Sequence, residues 1–120
     1  MAMRVLVKAM KVLSDETRLR TLNLLLERGC CVCEVMEALN VSQSTASRSL
    51  SALYDAGFLK LRREGLWAFY SIDKDRAQDF YSQMIDAAGK ALKDERVLEA
   101  DRERLRQLQP IISRHTAIAH

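Results

Sequence analysis

All three cysteines of the chain, Cys30, Cys31 and Cys33, fall within four positions of the stretch RGCCVCEV. Thiols gathered in this way suit three chemistries: small core fillers, a redox pair with a spare, or a trap for a soft ion. Chance rarely collects every cysteine of a chain in one place, which weighs against mere filler. A Cys30–Cys31 bridge would be strained, because adjacent Cα atoms lie about 3.8 Å apart and disulfides want at least about 4.4 Å. A Cys31–Cys33 bridge closes a small, poor ring. Three thiolates favour thiophilic ions. A trivalent pyramidal ion such as arsenite or antimonite is neutralised by three thiolates and needs no fourth ligand, whereas structural zinc wants four. The ion trap fits best. Cys33 is expected near a helix start, where the helix dipole favours thiolate; Arg28 acts in the same sense and Glu34 opposes it.

Helical periodicity dominates the elements around this box. Residues 3–13 are apolar on nearly all sides, so a short helix there needs two partners, its own core and a second subunit. The next helix starts at Ser14 or Asp15, carries Leu19, Leu22, Leu25 and Leu26 as its core stripe, and stops at Gly29. Cys30–Val32 reads as a short extended piece. A helix over 33–39 follows, with Val35, Met36 and Leu39 inward and Asn40 closing it. Ser42 caps a further helix, 42–56, that buries Ala46, Leu50 and Leu53 and ends at Gly57. FLKLRREGLWAFYSI then reads as a β-hairpin with a charged tip at Arg62–Gly65. A long helix is expected from Asp73 or Asp75 to about residue 92, with Ala77, Phe80, Tyr81, Met84, Ala87, Ala88 and Ala91 on one face. The charged stretch beyond it predicts another helix, with Val97, Leu98, Leu105 and Leu108 inward and Pro110 bending or ending it.

Two helices, a tight turn and an immediate hairpin make the order of a winged helix-turn-helix. The second helix of such a unit enters the major groove with its N-terminal end. Its outward residues here are Ser42, Gln43, Ser44, Thr45, Ser47, Arg48 and Ser51. Gln suits adenine and Arg suits guanine, while the hydroxyls suit phosphates. No acidic side chain lies between residues 41 and 54, so nothing there repels the phosphates. Lys60, Arg62 and Arg63 add a cationic wing. The net charge of +3 is too mild to argue for DNA alone; the clustering does so.

The motifs LSDETRLRTLNLLLERG, CVCEV, SQSTASRSLSAL and AGFLKLRREGLWAFY, in this order over residues 8 to 92, resemble those of the ArsR/SmtB metalloregulators. The resemblance implies a homodimeric repressor joined by its first helix and the long helix after the wing. Such a repressor binds an inverted repeat in double-stranded DNA and is released by its inducer. CVCEV is similar to the metalloid box of the arsenic-responsive members, which implies arsenite or antimonite as inducer and Cys31 and Cys33 as ligands. That box has its third cysteine three residues further on, at the position of Met36, so Cys30 stands in for it. Two reading helices about 34 Å apart would serve successive major grooves.

The expected organisation is a winged-helix DNA-binding and dimerisation domain over residues 1–92 and a helical extension over 93–120. An extended box points Cys31 and Cys33 to one side and Cys30 to the other. Closing all three on one ion would twist the backbone or unwind the start of the 33–39 helix and tilt the reading helix. The same scaffold could answer another thiophilic metal (lead, cadmium or zinc) or a reactive-sulfur or redox signal. A thiol enzyme is disfavoured by only four glycines and no phosphate-cradling loop. His115 and His120 read as tail residues. Without a signal peptide or a membrane-length apolar run, a cytoplasmic, reducing address is expected.

Overall fold

A short amphipathic helix, α1 (Met3–Leu13), turns sharply into α2 (Glu16–Glu27). The structure, a computed structural model, describes residues 3–73 and 80–108. The turn is held from both sides. Asp15 accepts the Arg18 backbone N–H as N-cap, and the Arg18 side chain donates to the α1 carbonyls of Val12 and Lys11. Only Ala9 and Val12 of α1 are buried, while Met3, Val5, Val7 and Met10 are exposed. The apolar pattern that asked for two partners thus finds one within the chain.

α3 (Val32–Leu39) and α4 (Gln43–Asp55) follow. Asn40 ends α3 in the left-handed region (φ 56°), a conformation asparagine tolerates because its short amide bonds locally. Ser42 then caps α4, its Oγ accepting the Thr45 N–H at 3.2 Å. Such a cap contributes about 0.5–2 kcal/mol. Leu50 and Leu53 of α4 pack with Leu22, Leu24, Val35, Leu39 and Phe58 in the central core. Gly57 links α4 to the hairpin at φ 101°, and a Cβ there would lie 2.5 Å from Tyr81 Oη. That hydroxyl donates to the Ala56 carbonyl at 2.7 Å, so only glycine fits both the conformation and the space.

β1 (Leu59–Glu64) and β2 (Trp67–Ile72) pair antiparallel from Leu59↔Ile72 to Glu64↔Trp67. α5 (Phe80–Ala91) buries Tyr81 and Ile85, and α6 (Arg96–Gln107) packs its Leu98 and Leu105 onto α2 and α3. No described helix is long and apolar enough to cross a membrane.

Several expectations are corrected. The extended piece is shorter than Cys30–Val32: Cys31 is already the N-cap of α3, so Cys33 lies on the helix and the alternation argument does not apply to it. The hairpin tip is Gly65–Leu66 and not Arg62–Gly65; Arg62 and Arg63 belong to β1. Gly65 takes φ 59° in the first turn position, which suits a two-residue hairpin. Val97 is exposed, because α6 turns Leu98 and Asp101 inward. Asp75, Ala77, Pro110, His115 and His120 lie outside the described residues.

Candidate functional site, a thiol box at the start of α3

The three thiols occupy three different settings. Cys30 is fully buried and forms an isolated bridge with Tyr70 of the wing. Its N–H donates to the Tyr70 carbonyl at 2.9 Å, and the Tyr70 N–H returns to the Cys30 carbonyl at 2.9 Å. Its Sγ–H faces the Arg28 carbonyl at 3.4 Å. Cys31 is buried at the N-cap of α3. Cys33, the second residue of α3, is half-buried.

Burial pushes the Cys30 thiol up to about 12; the Glu34 charge adds to the shift and Arg28 opposes it. Burial likewise raises Cys31 to about 11, against a hydrogen bond from the Glu34 backbone that favours its thiolate. Desolvation thus outweighs the cap and dipole contributions that favour thiolate at a helix start. Both thiols rest as neutral S–H groups near pH 7.

Glu34 is the hinge of this box. Its carboxylate is fully buried and bridges two partners, accepting the Cys31 N–H at 3.1 Å and the Arg28 Nη1 at 2.8 Å. Arg28 Nη2 is buried with no hydrogen-bond partner among the described residues. The pair caps the helix start, yet one guanidinium nitrogen stays unsatisfied, which costs stability. Among the described residues, no three thiol, imidazole or carboxylate groups are arranged to hold a metal ion. The donor set suits a soft pyramidal ion, but Cys30 lies in the core, Cys31 caps α3 and Cys33 lies on its first turn. Met36 packs against the core, as its apolar position implies.

The groove-reading candidates are displayed as the sequence implies. Ser42, Gln43, Ser44, Ser47, Arg48 and Ser51 are exposed and Thr45 is half-buried, on the face of α4 opposite Ala46, Leu50 and Leu53. Ser42, Ser44 and Thr45 share hydroxyl bonds of 2.9–3.3 Å, so part of their capacity is spent on the cap. Alternation along β1 puts Arg62 and Arg63 on opposite faces of the wing. Arg62 pairs with Glu64 at 3.1 Å and lies over the Phe69 ring at 5.7 Å. Leu66, fully exposed at the tip, was not singled out by sequence reasoning. Neither was Tyr70 as the partner of Cys30, since a single cross-strand bridge leaves no periodicity to read.

The chain's likeness to known proteins agrees with this geometry. A model described as "Bacterial regulatory protein, arsR family" matches residues 15–61, from the cap of α2 into β1. An uncharacterized HTH-type transcriptional regulator of Methanocaldococcus jannaschii, MJ1325, is 44% identical over 70 residues, 58% of this chain and 79% of that one. The arsenic resistance transcriptional regulator ArsR1 of Pseudomonas putida is 39% identical over 85 residues, 70% of this chain and 62% of its own length. The solution structure of a homodimeric winged helix-turn-helix DNA-binding domain from Mycobacterium bovis, Mb0332, matches with a TM-score of 0.64 at 24% identity. That match covers 78% of this chain and 82% of the other. The chain therefore belongs to the ArsR family of bacterial regulatory proteins and carries its winged helix-turn-helix fold.

Proposed function

We propose that the chain is a homodimeric transcriptional repressor that releases an inverted-repeat operator when Cys30, Cys31 and Cys33 close on arsenite or antimonite. One observation carries the reading. The box is fastened to the wing through the Cys30–Tyr70 bridge and, through the Cys31 cap, to α3, the helix that leads into the reading helix α4. Cys30 cannot join Cys31 and Cys33 around one ion while it keeps its seat in the core. Drawing it out strains the two 2.9 Å bonds to Tyr70, and moving Cys31 strains its bond to Glu34. Either change re-aims the wing, or α3 and with it α4.

The proton balance suits a metalloid. Arsenious acid, As(OH)3, and three neutral thiols give As(SR)3 and three waters, with no net proton released and no redox change. Thiols that rest protonated are therefore no obstacle to it. A divalent ion must expel a proton from each thiol it binds.

On the DNA side, Gln43, Ser44, Thr45, Ser47 and Arg48 would reach base edges and phosphates, with Ser42 at the helix cap and Arg62 and Arg63 on the flanking backbone. The exposed Met3, Val5, Val7 and Met10 of α1 would be covered by a second copy, so that the unit over residues 1–92 both binds DNA and dimerises. The test is selection of a duplex from a random pool, followed by arsenite titration of the complex. The reading expects an inverted repeat, loss of about 10³-fold or more in affinity from 50 to 200 mM salt if six or more phosphates are contacted, and release by arsenite. Retention of the duplex at saturating arsenite, or no selected duplex, overturns it.

A further inference from the structure

The end of α3 remote from the thiols is fastened by α6, which lies outside the residues the family model matches. Asp101 of α6 is completely buried and accepts three charged hydrogen bonds. Arg20 of α2 binds it in a fork, Nε to Oδ2 and Nη2 to Oδ1, both at 2.9 Å. Arg104 reaches Oδ1 at 2.6 Å. Each arginine also donates to a carbonyl in the last turn of α3: Arg20 Nη2 to Leu39 at 2.9 Å and Arg104 Nε to Ala38 at 2.6 Å. Those carbonyls belong to the set that a helix end leaves without partners, and cations there also suit the helix dipole. α6 is pinned to α2 as well, Arg102 donating to Asn23 Oδ1 at 2.6 Å and Asn23 Nδ2 to the Leu98 carbonyl at 3.2 Å.

Only Asn40 and Val41 separate these carbonyls from Ser42, the cap of α4. The geometry points to Asp101 as a positioning residue: it holds Arg20 and Arg104 on the end of α3, and this latch fixes the turn that aims the reading helix. DNA affinity then depends on an element that does not itself touch DNA. The inference rests on the DNA-binding reading above.

The test compares the full-length parent, Asp101→Asn and Arg104→Ala on the duplex selected by the parent. Binding is followed from 50 to 200 mM salt, with melting curves and backbone hydrogen exchange of residues 40–46 without DNA. Both variants are expected to bind about 5- to 150-fold more weakly, the range of linked sites. The slope of log affinity against log salt stays that of the parent, because the same phosphates are met. Faster exchange at residues 40–46 accompanies the loss. Parent-like affinity in folded variants overturns the latch. So does a slope shallower by about one in Arg104→Ala, which marks a direct phosphate contact. If Asp101→Asn fails to fold, Arg104→Ala decides, since it keeps the Arg20–Asp101 fork. If the parent selects no duplex, the DNA-binding reading fails, and parent-like exchange at residues 40–46 in Arg104→Ala would still count against the latch separately.

Discussion

The two ends of α3 are fastened by different physics. The C-terminal end is held by a buried carboxylate whose charged bonds are complete, two arginines each serving the carboxylate and a helix carbonyl. The N-terminal end is held by neutral buried thiols and one carboxylate–guanidinium pair in which a guanidinium nitrogen has no partner among the described residues. Breaking a buried ion network by removing one member costs about 3–5 kcal/mol, so the far end resists change. Thiols, by contrast, can exchange neutral S–H for bonds to an ion without leaving a buried charge behind. On the proposed reading, α3 pivots about its firm end, the one next to α4, when the loose end closes on an ion.

The difference is broken most sharply by pH. Cys30 and Cys31 are raised to about 12 and about 11 by burial, so both rest as S–H at neutral pH. Affinity for cadmium or lead should rise by about tenfold per pH unit for each proton expelled, about 100-fold for Cys30 and Cys31 together. Affinity for arsenious acid should stay flat between pH 6 and 8. Calorimetric titration at three pH values separates the two, and a steep arsenite slope would contradict the exchange of three S–H for three waters.

Substitution at the loose end comes next in size. Cys31→Ser and Cys33→Ser should abolish the arsenite-driven fall in DNA affinity, itself about 5- to 150-fold, while affinity without arsenite stays near that of the parent. Gel shifts with and without arsenite check this. A variant that still lets go of its duplex on cue removes that sulfur from the account.

The reading surface should divide by role. Arg48→Ala should cost about 1–3 kcal/mol of discrimination at one base position, seen as relaxed preference in a repeated duplex selection. Arg63→Ala should weaken every duplex alike and lower the salt slope by about one.

These divisions follow lines that were uneven in the sequence. α1, the Ser42 cap, the Asn40 stop and the buried face of α4 were legible, because each rests on local spacing or on a residue with one strong conformational preference; in α2 the helix was legible but its core stripe was not, since Leu26 is exposed and Leu24 is buried in its stead. The position of the wing was legible too, but not the bounds of its tip, since the charged run Arg62–Glu64 reads as a turn and lies in β1. The start of α3 was missed by one residue because cysteine is an unusual cap. That error mattered: it left Cys31 in an extended piece, when Cys31 is the buried N-cap of α3 and burial raises its thiol to about 11. The latch was invisible for another reason. Arg20, Asp101 and Arg104 come together only through long-range packing, and within α6 the one inward carboxylate looks like any other acid in a charged run.

A smaller effect distinguishes the thiols by depth. Cys30→Ser places a hydroxyl in the core and should cost about 1–3 kcal/mol. Cys33→Ser, half-buried, should stay within about 0.5 kcal/mol. Denaturant titration compares them. The raised thiols also set an alkaline limit. Their contribution to stability is complete below the ordinary thiol value of 9.0 and falls as pH climbs through about 11 and about 12. Cys30→Ala should flatten that fall.

The most direct measurement of the pivot is residue-resolved hydrogen exchange on the protein with and without saturating arsenite. The amides of Cys30, Tyr70 and Cys31, which now donate to Tyr70, Cys30 and Glu34, should exchange faster with arsenite bound, while amides in the last turn of α3, beside the arginines, keep their protection. Unchanged exchange at those three amides in a protein that has released its DNA would contradict the account.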